Sequence, residues 1–172
     1  MRAIWAVIFI LLVRYVLLAL FNKAALKRAA LFPPLSGVEK PMYIVYQLCS
    51  AALLIYPAFL PIASGTALFT TGLCVYGAGL LLLVVSLHNF AFPDHKGLNQ
   101  RGLYRFSRNP MYVSYFLCFF GVAILAQSLP LLIILILFQV SGHWMILAEE
   151  RWCLEHFGGE YGQYMNTVRR YI

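Results

Sequence analysis

Polar and apolar positions fall in long blocks along this chain, not at the short periods of a soluble helix or strand. Ala3–Phe21 is apolar except for Arg14. At about 1.5 Å per residue, that run is long enough for a bilayer core of about 30 Å, and it predicts a first transmembrane helix. It is too long for the apolar part of a cleaved signal, and no small-residue cleavage site follows. Pro41–Pro93 contains no Asp, Glu, Lys or Arg, and neither does Met111–Ala148. Each of these holds two spans. Pro61–Gly65 divides the first into spans near Met42–Leu60 and Thr66–His88, with a kink expected at Pro57. Ala126–Pro130 divides the second into helices near Met111–Ala126 and Pro130–Leu147, predicted to form a tight antiparallel hairpin.

Polar segments separate the blocks. Asn22–Lys40 carries Lys23, Lys27, Arg28 and Lys40 against Glu39. A short interfacial helix is expected over Lys23–Ala30, before Pro33-Pro34 and Ser36-Gly37 break it. Asp94–Tyr112 reads DHKGLNQRGLYRFSRNPMY. Glu149–Phe157 reads as the last span running out of the membrane, with Gly158-Gly159 as its stop. A second short helix, Glu160–Val168, places Tyr161, Tyr164, Met165 and Val168 on one face. The expected fold is all-α: a helical bundle integral to the membrane, with about five spans, a C-terminal hairpin and a short amphipathic tail. It forms one domain over residues 1–172, with scaffold helices in 1–93 and the chemically equipped half in 94–172.

Composition agrees. Of the 172 residues, 62% are hydrophobic and 11% charged, against about 25% charged in soluble domains. Cys49, Cys74, Cys118 and Cys153 have no metal-binding spacing and no disulfide pattern, so packing is their expected role. The net charge of +7 does not indicate nucleic acid, because no basic face carries interleaved aromatics. The basic residues flank the apolar blocks instead. With about five spans, Asn22–Lys40, Asp94–Arg108 and Glu149–Ile172 share one side, and the two uncharged turns share the other. The positive-inside rule then puts the N-terminus outside and the C-terminus in the cytoplasm, in what reads as a plasma (inner) membrane. Arg14 is the exception: a cation inside a span is a functional flag, and its alternative is to snorkel or pair within the bundle. Gly72, Gly77 and Gly79 suit close helix approach, and Gly77-Ala78-Gly79 otherwise leaves room for a ligand.

The hairpin has a geometric consequence. Residues just before its first helix become neighbours of those just after its second, so Asn109 and Tyr112 are expected near Glu149 and Glu150. The two glutamates lie about 100° apart on a helix. One can therefore face a ligand while the other holds a basic side chain, with Lys96, Arg101, Arg105 and Arg108 as candidates. Pro110 suits a first helical turn with Asn109 at the cap, where free N–H groups favour a carboxylate or phosphate. Gly102 permits close backbone approach, and Tyr104 can close over a ring. The competing reading of these residues is a juxtamembrane loop whose arginines meet lipid headgroups.

GLYRFSRNPMY, an uncharged hairpin, then AEERWCLEHFGGEYGQYMNTVRRYI resembles the isoprenylcysteine carboxyl methyltransferase family and the related phospholipid methyltransferases. Members show Gly-x-Tyr … Arg-His-Pro-x-Tyr, a hairpin, Glu-Glu and a Phe-Gly-x-x-Tyr-x-x-Tyr tail. The resemblance covers the second half of the chain. It implies an integral membrane methyltransferase using S-adenosylmethionine, with a lipophilic or lipidated acceptor entering from the bilayer. By position, Gly102, Leu103, Tyr104, Asn109, Pro110, Tyr112, Glu149 and Glu150 are implied cofactor contacts, with His95 and Lys96 as a weaker match. Arg108 and Glu150 are the implied catalytic residues. Asn109 departs from the family histidine: it can hydrogen-bond but carries no charge. Gly77 and Gly79 match a Gly-x-Gly of phospholipid methyltransferases. Two other functions fit the same residues: an NADPH-dependent reductase like the integral sterol reductases, and a membrane scaffold without activity.

Overall fold

The computed structural model describes residues 1–30, 32–94 and 97–171. Among these there are seven α-helices and no strand: α1 (Ile4–Phe21), α2 (Lys23–Ala29), α3 (Glu39–Ile55), α4 (Ala67–Ala91), α5 (Pro110–Leu125), α6 (Leu129–Phe157) and α7 (Gly159–Thr167). The ends follow local chemistry. The side chains of Asn22, Thr66 and Ser128 cap α2, α4 and α6. Pro110 and Pro130 fall in first turns, where no N–H is needed. At Pro57, where a kink is expected, the α-helix gives way to a single 3₁₀ turn, Tyr56–Ala58. A proline here removes a backbone donor and crowds the preceding turn.

Among the described residues, four helices are long and apolar enough to cross a membrane: α1, α3 with its 3₁₀ extension, α4 and α6. The fifth expected span, α5, has 16 residues and reaches only about 24 Å. In contrast, α6 has 29. Its first 20 or so span a bilayer core of about 30 Å, so Glu149–Phe157 projects beyond it on the same continuous helix.

The hairpin differs from expectation. The tightest pair is α4 with α5, not α5 with α6, and the main partner of α6 is α3. Small residues explain this. A Cβ on Gly79 would come within 2.6 Å of the Cys118 nitrogen, and one on Gly121 within 2.6 Å of the Tyr76 nitrogen. Backbone therefore meets backbone along this seam, and the Ser86 and Ser114 hydroxyls bond across it at 3.2 Å. Gly77 faces outward with nothing near it. At Gly79 no ligand space opens, because Cys118 fills its side. Between α3 and α6, Tyr46 stacks on Phe138 with ring centroids 4.8 Å apart.

The polar segments gather at one end. Asn22 Nδ2 and Arg28 Nη2 donate to the Ala91 and Phe90 carbonyls at the end of α4. Glu39 accepts from Arg151 Nη2 at 2.8 Å. The two uncharged turns meet at the other end, where Ala63 N donates to Leu125 O and Gln127 Nε2 to Thr66 Oγ1.

Candidate active site

At the polar end, a turn and a tail hold the post-α4 segment in place. Gly102 has φ +57°, and a Cβ there would overlap the Asn89 amide. Asn89 Oδ1 accepts from Leu103 N at 3.0 Å. The close approach that Gly102 allows is thus to a side chain of α4. A 3₁₀ turn over Gly102–Arg105 follows and buries Tyr104, whose carbonyl accepts from the Tyr164 hydroxyl at 2.6 Å. Burial pushes the phenols of Tyr104, Tyr161 and Tyr164 well above the ordinary tyrosine range, so they are neutral donors across physiological pH.

Asn109 caps α5 only through its backbone. Its Nδ2 donates to Arg170 O at 3.1 Å, and Arg108 N donates to Arg169 O at 2.9 Å. The chain after α7 is therefore stitched along the Arg-Asn-Pro corner. Its side chains take part as well: Arg170 grips Glu150 with Nε and Nη2, the shortest contact 2.8 Å. That carboxylate raises the Arg170 pKa by hydrogen bonding.

The two glutamates divide as the helical angle requires. Glu150, 4% exposed, lies between two arginines, with Arg108 Nη2 at 2.9 Å and Arg170 Nη2 at 2.8 Å. Glu149 is reached instead by the Tyr112 hydroxyl, 2.9 Å from its Oε1. Of the candidate partners, Arg108 alone meets a glutamate among the described residues. Arg101 pairs with Asp94, and Arg105 is exposed.

These groups line one cavity of about 770 Å³. Its polar end holds Asn99, Tyr104, Arg108, Asn109, Glu149, Glu150 and the aromatic group Trp152, His156 and Phe157. Its other end runs between α1 and α3, past Leu11, Arg14, Tyr15, Tyr46, Leu53 and Leu54. Tyr15 and Leu54 line this end and keep much of their surface exposed, so the cavity is open between α1 and α3. Gly102, Leu103 and Pro110 do not line it; they shape the turn and helix that carry Tyr104 and Tyr112. His95 and Lys96 lie outside the described residues.

At the polar end of the cavity, two buried polar atoms have no hydrogen-bond partner among the described residues: Arg108 Nε and Asn99 Oδ1. A buried donor left unpaired costs about 1–3 kcal/mol, and these two atoms, one donor and one acceptor, suit a ligand carrying both kinds of group. The sequence reading missed Asn89, Asn99 and Arg170. For Arg170 the available signal was its place in the polar tail beyond the glutamates.

A family model described as phospholipid methyltransferase matches residues 63–160. No curated protein and no solved structure matches the chain.

Proposed function

Because the chain belongs to the phospholipid methyltransferase family, we propose that this membrane methyltransferase moves a methyl group from S-adenosylmethionine to a lipophilic acceptor at the cytoplasmic face. The observation that carries the reading is one continuous cavity, running from the charged end of the bundle to a largely apolar stretch between α1 and α3 that holds Arg14. It gives a polar donor and a lipid-bound acceptor one shared space. The whole chain acts as one domain, with residues 1–93 as scaffold and 94–172 as the cofactor-binding half.

The unpaired polar atoms fit the donor. Glu149, braced by Tyr112, accepts from an ammonium. Arg108 Nε meets a carboxylate, and Asn99 Oδ1 accepts from an exocyclic amine or a hydroxyl. Trp152 and Phe157 supply aromatic surface for a base. The sulfonium supplies an electrophilic methyl: the acceptor's lone pair forms the new bond to carbon as the C–S bond breaks, and its electron pair stays on sulfur. The protein's work is then alignment and exclusion of water. A carboxylate acceptor needs no base, whereas an amine passes a proton to Glu149 or to water.

Glu150 is saturated by Arg108 and Arg170. Both Arg108 and Glu150 act by holding the corner, and Arg108 keeps Nε for the ligand. The orientation is N-terminus outside, with the Lys- and Arg-rich end in the cytoplasm of a plasma (inner) membrane. Titration of the purified protein in lipid nanodiscs tests the reading. S-adenosylhomocysteine is expected to bind and NADPH not to. Binding of NADPH alone would move the chain to the reductase reading, and binding of neither would leave a scaffold.

A further inference from the structure

Arg108 is pinned on two of its three guanidinium nitrogens. Nη1 donates to Met165 O at 3.1 Å, and Nη2 lies 2.9 Å from Glu150 Oε1. Nε has no partner among the described residues. Nε and Nη2 share one edge of a guanidinium, and a carboxylate is commonly gripped along that edge by both. Arg170 grips Glu150 in this way, with Nε 3.1 Å from each oxygen and Nη2 2.8 Å from Oε2. Glu150 does not close the same grip on Arg108, although it already meets the neighbouring nitrogen.

Competition between the two arginines accounts for the difference. Arg170 engages both oxygens of Glu150 and so fixes how the carboxylate is turned. Without Arg170, a buried carboxylate lowers its energy by pairing more fully with the charge that remains. The Nε–Nη2 edge of Arg108 is the nearest place to do so, and Nε is then lost to any ligand. The chain that carries Arg170 is held from two sides. Its carbonyl accepts from Asn109 Nδ2 at 3.1 Å. The next residue, Tyr171, places its hydroxyl 2.8 Å from His143 Nδ1, about two turns before Glu150 on α6. Arg170 is not among the residues lining the cavity.

We infer that Arg170, anchored through Tyr171, is a positioning residue: it occupies Glu150 and thereby keeps Arg108 Nε open for the carboxylate of the methyl donor. The inference rests on the methyl-donor reading of the cavity. It adds to that reading what sets the preference for the amino-acid end of the donor.

Two ligands test it in lipid nanodiscs: S-adenosylhomocysteine and its decarboxylated analogue, S-adenosylthiopropylamine, which keeps the nucleoside and the amine. The ratio of their Kd values isolates the carboxylate contact. Wild type is expected to favour S-adenosylhomocysteine by about ten-fold, the ratio for one charge-assisted contact. Arg170→Gln should bring the ratio near one by weakening S-adenosylhomocysteine alone. Unchanged binding of the analogue also reports that the variant folds. Arg170→Lys, which still places a cation on Glu150, should restore part of the ratio. Tyr171→Phe frees the tail from His143 and should lower the ratio by a smaller factor, so it serves if Arg170→Gln fails to fold. Arg108→Lys has no Nε; there the ratio should already be low, and adding Arg170→Gln should not change it. A ratio unmoved by Arg170→Gln, or unmoved by Tyr171→Phe where Arg170→Gln does not fold, overturns the inference. So does an equal loss of both ligands, which marks general support of the fold. An Arg170→Gln effect that persists beside Arg108→Lys overturns it too, because Arg170 would then act on the ligand directly. Equal binding of the two ligands by wild type overturns it while methyl-donor binding stands. Binding of neither ligand overturns the methyl-donor reading, and this inference with it.

Discussion

Glu149 and Glu150 are adjacent in sequence, yet the fold gives them different surroundings. Glu150 holds two arginines in a buried cluster, and Glu149 meets one phenol at the cavity wall. Their substitutions should therefore separate stability from binding. Glu150→Gln leaves Arg108 and Arg170 without their counter-charge, and breaking such a buried cluster costs about 3–5 kcal/mol. Thermal unfolding in detergent should show a clear drop. Glu149→Gln keeps the shape and removes one charge. It should unfold near the wild-type temperature but bind S-adenosylhomocysteine about ten-fold more weakly in calorimetry. If Glu149→Gln binds normally, Glu149 is not the ammonium site. That the pair would split was legible in the sequence, because about 100° separates neighbours on a helix. Which residue faces which way was not, since that depends on how α6 is rotated against α3. Arg170 was hidden for a related reason: several arginines lie near the glutamates in sequence, and only the path of the chain after α7 selects one.

At the scale of helices, the apolar runs marked the elements to within a few residues, because charge is costly in a bilayer-crossing segment whatever its partners, and Arg14 is the one cation inside α1. The pairing was harder to see. Helices apolar all round carry no stripe to show which face is buried, and the hairpin connection suggested α5 against α6. Small residues decide it instead. Gly72 and Gly79 on α4 and Gly121 on α5 let two backbones touch, whereas Gly77, from the same Gly-rich stretch, points away. Gly121→Val should force α4 and α5 apart and destabilise the protein by about 1–3 kcal/mol, the usual range for overpacking. Gly77→Val should stay within about 0.5 kcal/mol. Unfolding of both variants in the same detergent checks this. Equal destabilisation would mean that the α4 face has been read wrongly. The seam matters to the site because α4 carries Asn89, which sets the Gly102 turn and so the position of Tyr104.

Across the whole molecule, charge separates the two ends of the bundle, and the proposed chemistry needs that separation to match the membrane. S-adenosylmethionine is charged and does not cross a bilayer, so the cavity's polar end has to face the compartment that holds it. The turns at Pro61–Gly65 and Ala126–Pro130 must then face outward, and the N-terminus with them, since Ile62 N donates to Met1 O at 2.9 Å and Arg2 Nη1 to Ala58 O at 2.8 Å. A label attached to single cysteines tests this. With Cys49, Cys74, Cys118 and Cys153 replaced by serine, Ser64→Cys in the outer turn should react with a membrane-impermeant maleimide in intact cells. Arg105→Cys, exposed at the polar end, should react only after permeabilisation. The reverse pattern would place the glutamates and Arg108 outside, where no pool of the methyl donor exists. Methyl transfer would then fail as the function even if the cavity bound the nucleoside in a test tube. Labelling of both positions in intact cells would indicate two insertions of the same chain. The concentration of Lys and Arg at one end argues against that outcome, because each basic residue beside a span biases the direction of insertion.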